Sequence, residues 1–169
     1  MNVRIIAIVL CLFCFVIPLQ CFIIGDNVGV GIQGAVFRYQ ITGQGNSLIP
    51  IMKELTYVTS GIYTGKTAAS VIFWCLGTLI LFLFTLGSLL SWNQMNEDHI
   101  RIISIGLFCS AVCYILSCIS QYNLFLSGPA GISLPIGVLF MIVCAILLRF
   151  YSRFLFFNEN DHLNNDQVI

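Results

Sequence analysis

The sequence predicts an all-α membrane protein, a four-transmembrane-helix bundle with a long first loop containing short β-strands and an amphipathic helix. Three observations predict it. The chain of 169 residues is 59% hydrophobic and only 8% charged, whereas a soluble domain carries about a quarter charged residues. Four stretches, about Ile5–Ile24, Ala68–Trp92, Ile100–Tyr122 and Ile132–Leu148, are apolar and close to the roughly 20 residues that cross a bilayer. Those stretches hold no Asp, Glu, Lys, Arg or His away from their ends, which argues against proton relays and ion pathways.

The first segment has a short basic start, Met1–Arg4, and an apolar run to Ile17 before Pro18. No Ala-x-Ala pattern follows, so an uncleaved anchor is expected rather than a signal peptide. The loop 25–67 comes next. Val28 to Thr42 is rich in β-branched and aromatic residues and reads as one or two strands. Thr42–Ser47 reads as a turn. Leu48, Ile51, Met52, Leu55 and Val58 recur at helical spacing, which predicts an amphipathic helix over Ile49–Thr59, with Ser47 as its cap and Gly61 as its stop. The second span follows, then a short link (Asn93–His99), the third span, a medium link (Asn123–Gly131) and the fourth span, which runs on to about 157. The expected organisation is one transmembrane domain over 1–157 and a polar, disordered tail over 158–169.

Lys and Arg near the membrane favour both termini in the cytoplasm of a multi-pass cell-membrane protein, with Arg4, Arg101, Arg149 and Arg153 on the terminal side. Lys plus Arg equals Asp plus Glu, at seven each, and no basic block exists, so nucleic acid is not an expected partner. Small residues recur along helix faces: Gly77 and Ser88 in the second span, Gly106, Ser110, Cys113 and Ser117 in the third, Gly137 and Cys144 in the fourth. Lipid tails give apolar helices no reason to associate, so close approach over small residues is the expected packing device.

Two motifs imitate nucleotide sites. Gly29-Val30-Gly31-Ile32-Gln33-Gly34 matches G-x-G-x-x-G, but a strand-like run follows it where a helix is required. Gly61–Thr67 is one residue short of a phosphate-binding loop and lacks a preceding strand. Neither predicts a nucleotide partner. The eight cysteines (Cys11, Cys14, Cys21, Cys75, Cys109, Cys113, Cys118 and Cys144) all lie in apolar segments, and His99 and His162 lie away from them. Packing is therefore expected of these thiols, rather than a zinc site or a disulfide framework. No Ser/His/Asp or His/Glu set converges, so no enzyme, cofactor or metal is predicted.

The layout of four spans, a strand-bearing first loop and a helix before the second span resembles that of the tetraspan junction proteins. The likeness is one of layout, since the Trp and paired Cys of the first loop in that group have no counterpart between Gly25 and Thr67. The functional expectation is a non-enzymatic scaffold or interaction subunit. It would present the 26–66 loop to another membrane protein or to a second copy of itself, with membrane lipid around the helices. Arg38, Tyr39, Lys53, Glu54 and Tyr57 are the expected contact residues. The alternative is a small transporter or pore subunit acting as an oligomer.

Overall fold

Three prolines mark the places where the chain changes between helix and strand. Pro18 lacks an amide donor and disfavours helical geometry at Ile17, so α1 (Val3–Val16) stops and β1 (Gln20–Ile24) begins within one apolar run. Pro50 closes β4 (Gly45–Pro50) and sits extended, at φ −69° and ψ 151°, in front of α2 (Ile51–Thr59). Pro135 separates β6 (Gly131–Leu134) from α5 (Ile136–Asn165). The remaining elements are β2 (Gly29–Gln33), β3 (Phe37–Thr42), α3 (Gly65–Leu90), α4 (Glu97–Tyr122) and β5 (Ser127–Gly128). This computed structural model describes the backbone of residues 3–25, 28–91, 96–128 and 130–165, and the side chains of 5–25, 28–91, 96–128 and 130–150.

The six strands form one antiparallel sheet in the order β4-β3-β2-β1-β6-β5. Its three central pairings are set by Cys21 opposite Ile32, Ile32 opposite Tyr39 and Cys21 opposite Leu134. The architecture among the described residues is thus five helices and a six-stranded sheet. The expectation of an all-α four-transmembrane-helix bundle is corrected, and the tetraspan layout goes with it. Among the described residues, only α3 and α4 are long and apolar enough to cross a membrane. The stretch Ile5–Ile24 is a helix and a strand, and the fourth stretch starts as a strand. A short apolar run does not distinguish a buried strand from a helix by hydropathy, and here the prolines decide. The turn expected over Thr42–Ser47 is only the tip between β3 and β4, and α2 starts at Ile51. Of the expected tail, α5 carries the backbone to Asn165, and 166–169 lie outside the described residues.

The helices α3 and α4 pack along their lengths, and α5 packs on α4. Ala7, Cys11 and Cys14 of α1 join the same core as Trp74, Leu81, Leu107, Ala111, Tyr114, Val138 and Met141. Serine hydroxyls tie neighbouring helices through backbone carbonyls: Ser110 donates to Gly77 O at 2.7 Å, Ser117 to Ser70 O at 2.8 Å and Ser104 to Ala145 O at 2.7 Å. Each carbonyl already serves its own helix and uses its second lone pair here. Cys113 Cβ and the Tyr114 ring lie where a Gly77 Cβ would stand, and the Phe84 ring covers Gly106. Ser88 is buried but donates within its own helix, to Thr85 O. Cys144 is buried on α5.

Gly137 packs against the Pro18–Leu19 turn rather than a helix, and its amide and that of Val138 both donate to Leu19 O. A Cβ at 137 would run into the Pro18 carbonyl and the Leu19 backbone, whereas nothing lies within 4 Å of one at Gly87. Gly137→Ala is therefore expected to lower stability by about 1–3 kcal/mol, the usual cost of forcing atoms into a packed site. Gly87→Ala should leave stability unchanged or raise it by up to ~1 kcal/mol. Thermal unfolding of the two purified variants checks the contrast, and equal shifts would refute the packing at Gly137.

Candidate functional site

Alternation along β1, β2 and β3 sends Gln20, Gln33 and Arg38 to one face of the sheet. The register places them in a row across the strands, Gln20 opposite Gln33 and Gln33 opposite Arg38. That face turns inward, and all three side chains are buried. Arg38 is the hub. Its Nε and Nη2 donate to Gln33 Oε1 at 3.2 and 2.8 Å, and Nη2 also donates to Gln121 Oε1 of α4 at 3.4 Å. Its guanidinium carbon lies 5.5 Å from the centroid of the Trp74 ring and 5.7 Å from that of Phe22. A planar fork with five donors suits this site, whereas a lysine would leave most of these acceptors unserved.

The network extends in both directions. Gln20 Nε2 donates to Gln33 Oε1 at 2.7 Å, and Gln20 Oε1 accepts from Ser133 of β6 at 2.9 Å and from the Cys118 thiol of α4 at 2.6 Å. Ser70 of α3 donates to Gln121 Oε1 at 3.3 Å and pairs with Ser117 Oγ. Beside it, Trp74 Nε1 donates to Gly34 O at 3.0 Å, and Thr78 Oγ1 donates to Ala35 O at 2.6 Å. The β2–β3 turn is thereby pinned against the first half of α3.

Glu54 of α2 faces the hub and has no exposed surface. Its Oε1 lies 3.2 Å from Arg38 Nη1, yet neither carboxylate oxygen has a partner in hydrogen-bond alignment. The attraction is therefore mainly Coulombic, and the lone pairs of a buried carboxylate stay unserved, which is costly. Outside the helices, burial first and then the Glu54 carboxylate push the Tyr63 phenol up, Arg38 opposes this, and Tyr57 adds to the rise. Tyr63 stabilises the fold fully below the ordinary tyrosine range, and that contribution is lost as the pH rises through its raised value.

The other expected contact residues lie around this pair. Lys53 and Tyr57 lie on either side of Glu54 along α2, with Lys53 exposed and its ammonium 5.9 Å from the Tyr57 ring centroid. Tyr39 points to the opposite side of the sheet from Arg38. The structure thus separates the five residues into an internal pair, Arg38 and Glu54, and three at or near the surface. Sequence reasoning marks Gln20 and Gln121 as polar residues near span ends but misses the network and its members Gln33 and Ser133. The three glutamines are polar amides near helix or strand ends, a signal that Ser133 lacks.

Sequence reasoning also missed the outward face of the sheet. Tyr39, Ile32, Cys21 and Leu134 form one row there, and Ile41, Val30, Ile23 and Ile132 form the next. Together with Gly31 and Phe22 they line an open cavity of about 450 Å³. The face carries no charge. The period-two alternation of Cys21/Ile23, Val30/Ile32 and Tyr39/Ile41 was its sequence signal. The G-x-G-x-x-G stretch lies in β2 rather than at a strand-to-helix turn. Lys66 of the phosphate-loop imitation donates to Asn123 Oδ1 at 2.9 Å, joining the start of α3 to the end of α4. Among the described residues, no group of three or more His, Cys, Asp or Glu is placed to hold a metal ion.

Neither the family models nor the curated proteins compared with this chain gave a match. The functional reading accordingly rests on this geometry.

The hub predicts a strong coupling between two residues. Arg38→Met leaves Glu54 buried without its cation and should cost about 3–5 kcal/mol, the usual effect of breaking one side of a buried pair. Glu54→Leu in the Arg38→Met background should recover most of that loss. A double-mutant cycle read by thermal unfolding checks this, and additive losses would disprove the pairing.

Proposed function

We propose that this chain is a membrane-embedded, non-enzymatic interaction protein that holds its 26–66 segment as a rigid sheet for recognition by a partner. The observation that carries the reading is the inversion of polarity across the molecule. Gln20, Gln33, Arg38 and Ser133 face inward, while Ile23, Val30, Ile41 and Leu134 face outward. Helices follow the same rule. Ser70, Ser104, Ser110 and Ser117 are buried, while Leu76, Leu79, Phe82, Ile102, Phe108, Leu139 and Val143 are exposed.

The degree of burial supports a lipid environment for the helices. Of the most apolar 18-residue windows of α3 and α4, 33% and 50% are buried. The core helix of a water-soluble domain would have most of such a window covered. Exposed apolar residues along both helices, such as Leu79, Phe82, Ile102 and Phe108, support the same reading. On the charge rule, we place the sheet on the extracytoplasmic side and the ends carrying Arg4, Arg101 and Arg153 on the cytoplasmic side.

The network explains why the recognition element would be rigid. Arg38 and Glu54 act from inside, and they hold β3 and α2 so that Tyr39, Lys53 and Tyr57 keep fixed positions. Two measurements test the reading. After alkaline carbonate extraction the protein should stay in the membrane pellet, and its appearance in the aqueous supernatant without aggregation would overturn the membrane assignment. Ile41→Asp should reduce partner co-purification at least tenfold while leaving the unfolding temperature within a few degrees. Unchanged capture would overturn the role of the sheet.

A further inference from the structure

We infer that the uncharged outer face of the sheet is the contact between two copies of this chain, stacked sheet on sheet. This rests on the interaction reading above and names its partner. The face is a shallow, uncharged concavity over four strands, and Ile23, Val30, Ile132 and Leu134 are 37%, 51%, 48% and 58% exposed. Leu48 of β4, opposite Tyr39, extends the first row and is 64% exposed. Apolar side chains on this face leave on the order of 700 Å² open, close to the roughly 800 Å² per partner of a standard stable interface.

The electrostatics select the occupant. A partner with a charged surface would have to bury those charges against a face with none to pair them, at a cost of several kcal/mol per ion. A second copy meets the face with the same uncharged rows. Aligned sheets stack about 10 Å apart with interdigitating side chains, which suits alternating β-branched rows. Lipid is the competing cover. However, the sheet is open, with β4 and β5 at its edges, and unpaired edge amides and carbonyls are not tolerated against hydrocarbon. The sheet therefore stands clear of the acyl chains, where another protein surface is needed to exclude water.

The test uses the full chain reconstituted in phosphatidylcholine vesicles, with a photoactivatable phenylalanine analogue replacing Ile23. Illumination should give an adduct of twice the chain mass, with the linked peptide mapping to β1, β2 or β6 of the second copy. The same probe replacing Phe108, on the lipid side of α4, should give chiefly lipid adducts. In mild detergent, light scattering should report a dimer, and Val30→Arg should weaken it at least tenfold with the unfolding temperature retained. If Val30→Arg fails to fold, Leu134→Lys on β6 serves the same purpose. A lipid adduct at position 23, a monomer at micromolar concentration or a dimer insensitive to both charges would overturn the inference. A monomer whose position 23 crosslinks in cells to a different chain overturns the self-contact but leaves the interaction reading standing. Loss of partner capture by Ile41→Asp with self-association unchanged would have the same meaning.

Discussion

A guanidinium withdrawn from water organises this molecule. Arg38 lies on a central strand of a sheet, against helices that are apolar on their outer surfaces. An unpaired cation there would cost several kcal/mol, a large share of a typical fold's net stability. Its surroundings supply a carboxylate from α2, amide oxygens from β2 and α4, and two aromatic faces, one from β1 and one from α3. Each of those groups comes from a different element, so satisfying one side chain fixes the relative positions of five. Glu54 completes the charge balance imperfectly, since no donor is aligned on either of its carboxylate oxygens. The pair thus specifies an arrangement more than it stabilises one, and the two unserved oxygens mark where that arrangement has a cost.

The same logic explains why polarity is inverted across the fold. The hydroxyls of Ser70, Ser104, Ser110 and Ser117 share the buried helix contacts with Trp74, Leu81, Leu107 and Met141, while Leu79, Phe82 and Phe108 stay exposed. Ser110 and Ser117 reach carbonyls of α3 because Gly77 and Ser70 let the backbones approach. The sheet continues this pattern. Its polar row joins the helix hydroxyls through Gln121 and Cys118, and its apolar rows are left outward. An element built in this way is held from within and uncharged on its outer face.

Much of this was legible in the sequence. The apolar composition, the serine and glycine faces, a strand over Phe37–Thr42 and the helix ending at Thr59 follow from local pattern. Gly77, Ser110 and Ser117 stand at helix contacts, as small residues at three- and four-residue steps suggest. Pairing was not legible. Ile23 and Ile132 carry the hydropathy of a membrane helix, and each becomes a strand residue because a partner strand lies beside it. Arg38 and Glu54 read as surface charges because charged residues in a loop usually are. Their burial depends on Trp74, Gln33 and Gln121, which local pattern does not connect.

By itself the sequence determined where the chain is apolar, where proline forbids helix to continue and which residue types face each other along a helix. These are properties of neighbours a few positions apart. Only the tertiary structure decided that two of the four apolar runs divide between helix and strand, that six strands share one sheet and that Arg38 meets Glu54 inside it. The physical reason is that strand hydrogen bonds and ion pairs are satisfied by residues distant in the chain. Their free energy exists only after the chain has closed around them.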